Sequence, residues 1–246
     1  MKKNILIIGE SCKDIFVYCS AIRLAPDIPV PVLNIINQTE NPGMAKNVQR
    51  NILKINNNCD ILTNDNWQNI TKTRYMHLDS NHMFVRVDSD HSKIERINFK
   101  KINFNYDLIA ISDYNKGFLK EEDIEYICNK HNNVFLDTKK KINNWAANAK
   151  IIKINNYEYT HSKDTMSKTI LDKTIITNGA KGCYYKNQQY PVKKIEVKDS
   201  SGAGDTFFAG LICEYIETEN IEKAIKFANK CASKVVQEKG VTCIES

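Results

Sequence analysis

Short apolar runs ending in polar residues or glycine recur along the chain, and stretches of helical periodicity separate them. Residues 4–9 (NILIIG) form a continuous apolar run closed by Gly9, the pattern of a strand buried on both faces in a parallel sheet. The runs at 107–112, 133–137, 150–154 and 173–177 read the same way. Helical periodicity predicts helices over 43–55, with Val48, Ile52 and Ile55 on one face, and over 121–130 and 206–216. A further helix is predicted over 221–237, where Ile221, Ala224, Ala228, Cys231 and Val235 recur at three and four residues behind an Asn220 N-cap. Residues 15–36 alternate irregularly and carry Pro26, Pro29 and Pro31, which predicts short edge strands and turns. Residues 69–88 predict two strands, marked by Ile70, Thr73, Tyr75, Met83, Val85 and Val87 and joined across the turn-prone Asp79-Ser80-Asn81. Strands alternating with helices imply an α/β fold with a mostly parallel sheet covered on both faces.

At 246 residues the chain is long enough to bury its own core, and a single domain over 1–246 is expected. The net charge of +6 comes from scattered Lys and Arg rather than arginine-rich tracts. That distribution fits anionic small ligands and gives no reason to expect a nucleic-acid partner. The eight cysteines form no C-x-x-C pair, several sit in apolar segments, and they read as reduced core thiols. Met1-Lys2-Lys3 leads directly into the first strand without a signal-peptide core, and no apolar stretch approaches membrane-spanning length. A cytoplasmic protein without membrane attachment is expected.

The most informative segment is Ser201-Gly202-Ala203-Gly204-Asp205, which opens a helix. Small residues there let backbone N–H groups approach an anion at the positive helix end. Phosphoryl transfer needs such donors, together with a base for the acceptor hydroxyl, and Asp205 supplies a carboxylate in the first turn. A Gly-Ala-Gly turn that only permits close packing, with Asp205 answering the helix dipole, accounts for the same letters.

With Asp199 ahead of it and Ser200 in place of a usual Thr, the run resembles the C-terminal signature of the PfkB, or ribokinase-like, carbohydrate kinases. Within that family the chain is similar to the kinase domain of ADP-heptose synthesis proteins. The similarity lies in residues 23–32, in Asn41-Pro42-Gly43-Met44-Ala45-Lys46-Asn47-Val48, in 70–74 and 86–88, in Ser112-Asp113-Tyr114-Asn115-Lys116-Gly117, and in Asp137-Thr138-Lys139. The resemblance implies a ribokinase-like three-layer sandwich with a small β lid made of segments near 14–40 and 69–90. It also implies transfer of the γ-phosphoryl group of ATP, with Mg2+, to the anomeric hydroxyl of heptose 7-phosphate. Another sugar or a nucleoside as acceptor, and a degenerate member that binds without turnover, are the alternatives.

The resemblance assigns Asp205 as catalytic base, with Gly202, Ala203 and Gly204 as the anion hole. It places Asp14, Gly43 and Asn47 at the sugar, and makes Lys72, Arg74, Arg86 and Lys116 candidates for a phosphate already on the acceptor. On the nucleotide side it points to Lys139, to Asn155, Asn156, Tyr157 and Glu158, to Thr177, Gly179 and Gly182, and to Asn229, with Glu158 reaching Mg2+ through water. The Asn155-to-Glu158 spacing is equally that of a helix capping box, and Gly179 and Gly182 also suit a hairpin turn.

Two departures stand out. Met44 occupies a family glycine position, and residues 52–68 are too few for a strand–helix unit that the family carries. Loss of that unit predicts a bare sheet edge, covered by a rearranged lid or a homodimer. No His-x-Gly-His adenylyltransferase motif occurs, so only the kinase step is expected.

Overall fold

A backbone buried on both faces must satisfy its N–H and C=O groups within a sheet, and the apolar runs do so here. The computed structural model describes residues 3–56, 58–80, 82–238 and 240–243. In its first half are β1 (Ile5–Ile8), β2 (Ser11–Ser20), β3 (Asn34–Met44), α1 (Ala45–Ile55), β4 (Cys59–Leu62), β5 (Thr71–His77), β6 (Met83–Asp88) and β7 (Leu108–Asp113). The second half holds α2 (Glu121–Lys130), β8 (Val134–Thr138), β9 (Ile151–Asn155), α3 (Asn156–Ser162), α4 (Lys168–Leu171) and β10 (Thr174–Thr177). It ends with β11 (Cys183–Tyr185), β12 (Gln188–Tyr190), α5 (Ala203–Thr218) and α6 (Ile221–Val235). Among the described residues, no helix is long and apolar enough to cross a membrane.

The main sheet has the order β12-β11-β10-β9-β8-β7-β1-β4, parallel from β10 to β4, with β11 and β12 added antiparallel. Alternation along its strands divides the core in two. Ile5 and Ile7 of β1 pack with α1, α5 and α6 through Val48, Ile52, Phe208, Leu211, Ile212 and Ala228. Leu6 and Ile8 face the other layer, with Ile124 and Ile127 of α2, Trp145 and Ile170. Asn220 caps α6 as expected, its Oδ1 accepting from the Lys223 N–H at 3.0 Å.

A second sheet, ordered β3-β2-β5-β6, continues from the carboxyl end of β1 and shares a cavity with the turn after β7. The expectation of short edge strands over 15–36 is corrected here: β2 and β3 are ten and eleven residues long. The three prolines all fall in the connection between them, where they cost no ladder bonds. The alternation was obscured because residues 34–40 are exposed and polar or apolar without period. The 69–88 hairpin forms as predicted between β5 and β6. The turn expected at 79–81 is seen through Asp79 and Ser80, whose N–H groups both donate to His77 Nδ1 at 3.2 Å; Asn81 lies outside the described residues.

The short stretch after α1 has a clear consequence. β4 pairs with β1 as the edge of the main sheet and passes through a 3-10 turn at Trp67–Asn69 straight into β5, with no intervening helix. The β4 edge is partly answered from α1, where Gln49 Nε2 donates to the Cys59 carbonyl at 3.1 Å. Met44 adopts φ 60° and ψ −131°, a backbone region that favours glycine and costs a side-chain-bearing residue about 1–3 kcal/mol. Its side chain is buried beside Cys12 and Ile70, in the layer that also holds Ile94 and Ile97, so packing offsets backbone strain.

Asn220→Ala should lower the stability of the protein by about 1 kcal/mol in urea denaturation, since it removes only the cap of α6.

Candidate active site

The N-terminus of α5 lies between two cavities. Its N-cap, Gly202, takes φ 78° and no side chain among the described residues caps the helix; the Ala203 N–H donates back to the Ser200 carbonyl at 3.2 Å, so the other N–H groups at the entrance are the ones turned to an approaching group. A polar cavity of about 510 Å³ is lined by Ser201, Gly202 and Asp205 on this side. An apolar cavity of about 290 Å³ is lined by Ser200, Ala203, Gly204 and Phe207 on the other. The small residues of the motif are therefore the partition between two binding spaces.

Asp205 is buried and held at both oxygens. Asn47 of α1 donates from Nδ2 to Oδ2 at 2.8 Å, and the Tyr114 hydroxyl donates to Oδ1 at 2.5 Å. Burial raises its pKa above the ordinary carboxylate value, while these two donors and the nearby Lys153 ammonium pull it back down. A Cβ on Gly202 would stand 3.0 Å from Asn47 Nδ2, so glycine is what lets the helix entrance approach the amide that holds the base.

The second sheet forms the opposite wall. Its register sets Asp14 beside Lys72 and Lys72 beside Asp88, and in the next row Phe16 beside Arg74 and Arg74 beside Arg86. Two arginines directly opposite repel unless each has an anion. Arg74 donates to Asp14 Oδ1 at 2.7 Å, and Arg86 makes a forked pair with Asp88 at 2.7 and 2.6 Å. Gly43 faces Cys12 across the β2–β3 ladder, and a Cβ there would meet Asp14 Oδ2 at 2.4 Å. Lys72 is only 6% exposed, yet among the described residues it has no carboxylate partner; its Nζ lies 5.0 Å from the Tyr114 ring centroid. Lys116 also lines this cavity.

Charged pairs fill the carboxyl ends of the main sheet beneath the cavity. Lys153 meets Asp137 at 2.7 Å, Lys140 meets Asp113 at 3.0 Å, and Lys139 meets Glu158 at 2.8 Å. Glu10 lies where β1 leaves for the second sheet. Its Oε1 accepts from the backbone N–H of Tyr114 at 3.1 Å and of Lys116 at 2.7 Å, and its Oε2 has no partner among the described residues. Burial, reinforced by the Asp113 charge, pushes its pKa up to about 7 against the pull of its own backbone N–H, that of Lys116 and the Lys140 ammonium.

The structure thus brings Asp14, Asn47, Lys72, Arg74, Arg86, Lys116, Gly202 and Asp205 around one cavity, with Gly43 directly behind Asp14. Lys139, expected on the nucleotide side, lines the same cavity. Thr177, Gly179, Gly182 and Asn229 join Ala203 and Gly204 around the apolar cavity, where Asn229 Nδ2 also donates to the Tyr190 carbonyl at 3.0 Å. Asn155, Asn156, Tyr157 and Glu158 line neither cavity, and Tyr157 is 71% exposed. Asn155 and Glu158 form the reciprocal capping box of α3, while Glu158 Oε1 also accepts from Lys139. Sequence reasoning did not single out Tyr114, Lys153, Glu10 or Val241. Tyr114 sat within a noted segment, but no spacing signals a phenol that reaches Asp205 from 91 residues away.

Comparison with known proteins gives a consistent picture. The family model described as pfkB family carbohydrate kinase matches residues 51–246. The bifunctional protein HldE of Helicobacter pylori (strain G27) is 28% identical over 296 residues, an alignment that covers 97% of this chain and 64% of that protein. The chain thus spans about 64% of the length of this relative, and the aligned length exceeds its own 246 residues, so the relative carries segments absent here. Among solved structures, ribokinase from Thermotoga maritima superposes with a TM-score of 0.75 at 18% identity, covering 97% of this chain and 94% of that one. The nucleoside kinase of Methanocaldococcus jannaschii gives 0.72 at 18% identity, covering 98% and 94%. Both share the fold.

Glu10 makes stability depend on pH. A carboxyl whose native pKa lies above its ordinary 4.5 favours the protonated form, so its contribution is complete below 4.5 and is lost as pH rises through about 7. Glu10→Gln should therefore gain stability over the parent by about 3 kcal/mol more at pH 8 than at pH 4, read by urea denaturation at the two pH values.

Proposed function

Because the chain belongs to the pfkB family of carbohydrate kinases, we propose that it transfers the γ-phosphoryl group of ATP to the anomeric hydroxyl of heptose 7-phosphate. The observation that carries the acceptor reading is the buried ammonium of Lys72, which faces the polar cavity without a carboxylate partner among the described residues. A buried cation calls for an anion, and a phosphate on the acceptor supplies one. Arg74, Arg86 and Lys116 stand around it. The similarity to HldE supports a heptose in particular. The proposal covers the kinase step alone, since the chain spans only part of that relative.

The acceptor hydroxyl points at Asp205, with Asp14 and Asn47 holding neighbouring hydroxyls. Asp205 takes the hydroxyl proton as the acceptor oxygen bonds to the γ-phosphorus and the bond from that phosphorus to the bridging oxygen breaks, releasing ADP. The N–H groups at Gly202 and Gly204 stabilise the charge spread over the transferring oxygens, and that of Ala203 joins them on leaving the Ser200 carbonyl. Thr177, Gly179, Gly182 and Asn229 hold the nucleoside part of ATP in the apolar cavity. Among the described residues no three ligating side chains cluster for a metal ion. Mg2+ would be taken up with the phosphates of ATP, with Glu158 and Lys139 organising it from α3 and the end of β8. Mg2+ neutralises phosphate charge when bound.

Residues 14–40 and 69–90 act as a lid on a single domain, closing over the acceptor to exclude water that otherwise hydrolyses ATP. The lid's outer side, where Ile35, Met83, Val85 and Val87 are exposed, is the surface for a homodimer. The reaction runs in the cytoplasm, where ATP is supplied.

An ADP-release assay across heptose 7-phosphate, hexose phosphates, free sugars and nucleosides tests the proposal. Heptose 7-phosphate should give the highest kcat/KM, and Asp205→Asn should lower kcat by roughly 10²–10⁴-fold. Preference for an unphosphorylated sugar or a nucleoside overturns the acceptor, and equal turnover by Asp205→Asn overturns the base. Calorimetric nucleotide binding without turnover of any acceptor replaces the kinase by a binding protein. Lys72→Ala should raise KM for the phosphorylated acceptor by about 10-fold while KM for ATP stays put, because Lys72 lines only the polar cavity.

A further inference from the structure

Three observations converge on one side chain. The Tyr114 hydroxyl lies 2.5 Å from Asp205 Oδ1, the ammonium groups of Lys72 and Lys139 each lie 5.0 Å from its ring centroid, and its backbone N–H is bonded to Glu10. The turn that carries it is itself constrained. Asn115 takes φ 56°, its N–H donates to Asp113 Oδ1 at 3.2 Å, and the Lys116 N–H shares Glu10 Oε1 with that of Tyr114. Glu10 is fully buried and sits in the connection from β1 to β2, which leads from the main sheet to the second sheet, and its carbonyl accepts from the Ala45 N–H at the start of α1. One carboxylate thus ties the β7 turn to the junction of the two sheets.

We propose that Tyr114 is a positioning residue for the Asp205 carboxylate, and that Glu10 keeps it in place by fixing the turn from which it reaches. The inference rests on Asp205 being the base. A carboxylate offers about four lone-pair positions. Asn47 and Tyr114 occupy one on each oxygen, which fixes the plane of the group and leaves defined positions open to an acceptor hydroxyl. A second consequence is electrostatic, since a donor to a carboxylate favours the ionised form that a base requires. The phenol is suited to this because burial, with the Asp205 charge next, holds its own pKa well above the ordinary value, so it stays a neutral donor. The charged groups facing this pair are Asp14 from β2, Lys72 from β5, Asp137 from β8, Lys139 beyond it and Lys153 from β9, and a change at Tyr114 leaves all of them in place.

Tyr114→Phe keeps the ring and removes only the donor. It should lower kcat by roughly 10- to 100-fold with KM for ATP unchanged, and move the acid limb of the kcat profile to higher pH. A second readout needs no turnover. In nucleotide-free protein with 13C-labelled aspartate, the Asp205 carboxyl resonance, assigned by its loss in Asp205→Asn, should titrate at higher pH in Tyr114→Phe. Glu10→Ala should lower kcat as Tyr114→Phe does, and Glu10→Gln, which keeps an oxygen for both N–H groups, should recover most of that loss. A parental kcat and an unmoved Asp205 titration in Tyr114→Phe overturn the proposal. Glu10→Gln as impaired as Glu10→Ala overturns the part assigned to Glu10, and if Glu10→Ala does not fold, the Tyr114→Phe arm decides. Should the parent turn over no acceptor at all, the kinase reading falls while the carboxyl titration still judges the contact.

Discussion

A carboxylate buried where two sheets meet must be answered by donors, and the answer given to Asp205 organises the rest of the site. Asn47 comes from α1, which follows β3, Tyr114 from the turn after β7, and Asp205 itself from the first turn of α5. Three separate segments are thereby fixed against one another by two hydrogen bonds. The glycine at the helix entrance follows from the same contact, because any larger residue at 202 crowds the Asn47 amide. So does the division between cavities, since the wall between them is the backbone that leads into Asp205.

Around that centre, charge is matched almost pair by pair. Removing two ions from water costs several kcal/mol each, and a buried pair returns this only when its geometry is good. Lys153 with Asp137, and Lys140 with Asp113, meet that condition at the strand ends, and Arg74 with Asp14 meets it on the facing sheet. Such pairing makes the exceptions informative. Among the described residues, Lys72 is buried without a carboxylate partner and Glu10 keeps one oxygen unanswered. The first faces the cavity, while the second is a proton-binding group held in the hinge between the sheets.

The hinge is also where the chain is shortest. β4 runs directly into β5, so one short stretch takes the chain from the main sheet to the second. Met44, at the other crossing, accepts a glycine-like backbone and fills the adjoining layer with Cys12 and Ile70. A backbone cost on this scale is tolerated where a large apolar side chain gains full burial.

The sequence by itself determined the layered α/β fold, because strands buried on both faces and amphipathic helices leave periodicities that survive in one dimension. β1, β7 to β10, α1, α2, α5 and α6 all appear close to where the pattern puts them. The Gly202 to Asp205 run was legible for a related reason: its backbone needs small residues consecutively at a helix start. β11 and β12, three residues each, are too short to show a period, β4 has its apolar run broken by Asp60, and β2 and β3 carry apolar residues without clean alternation, so their lengths waited on the ladder between them. Only the tertiary structure decided which side chains share a cavity. Asn47 and Tyr114 lie 158 and 91 residues from the carboxylate they hold, and no local pattern records a hydrogen bond closed by the folding of an entire sheet.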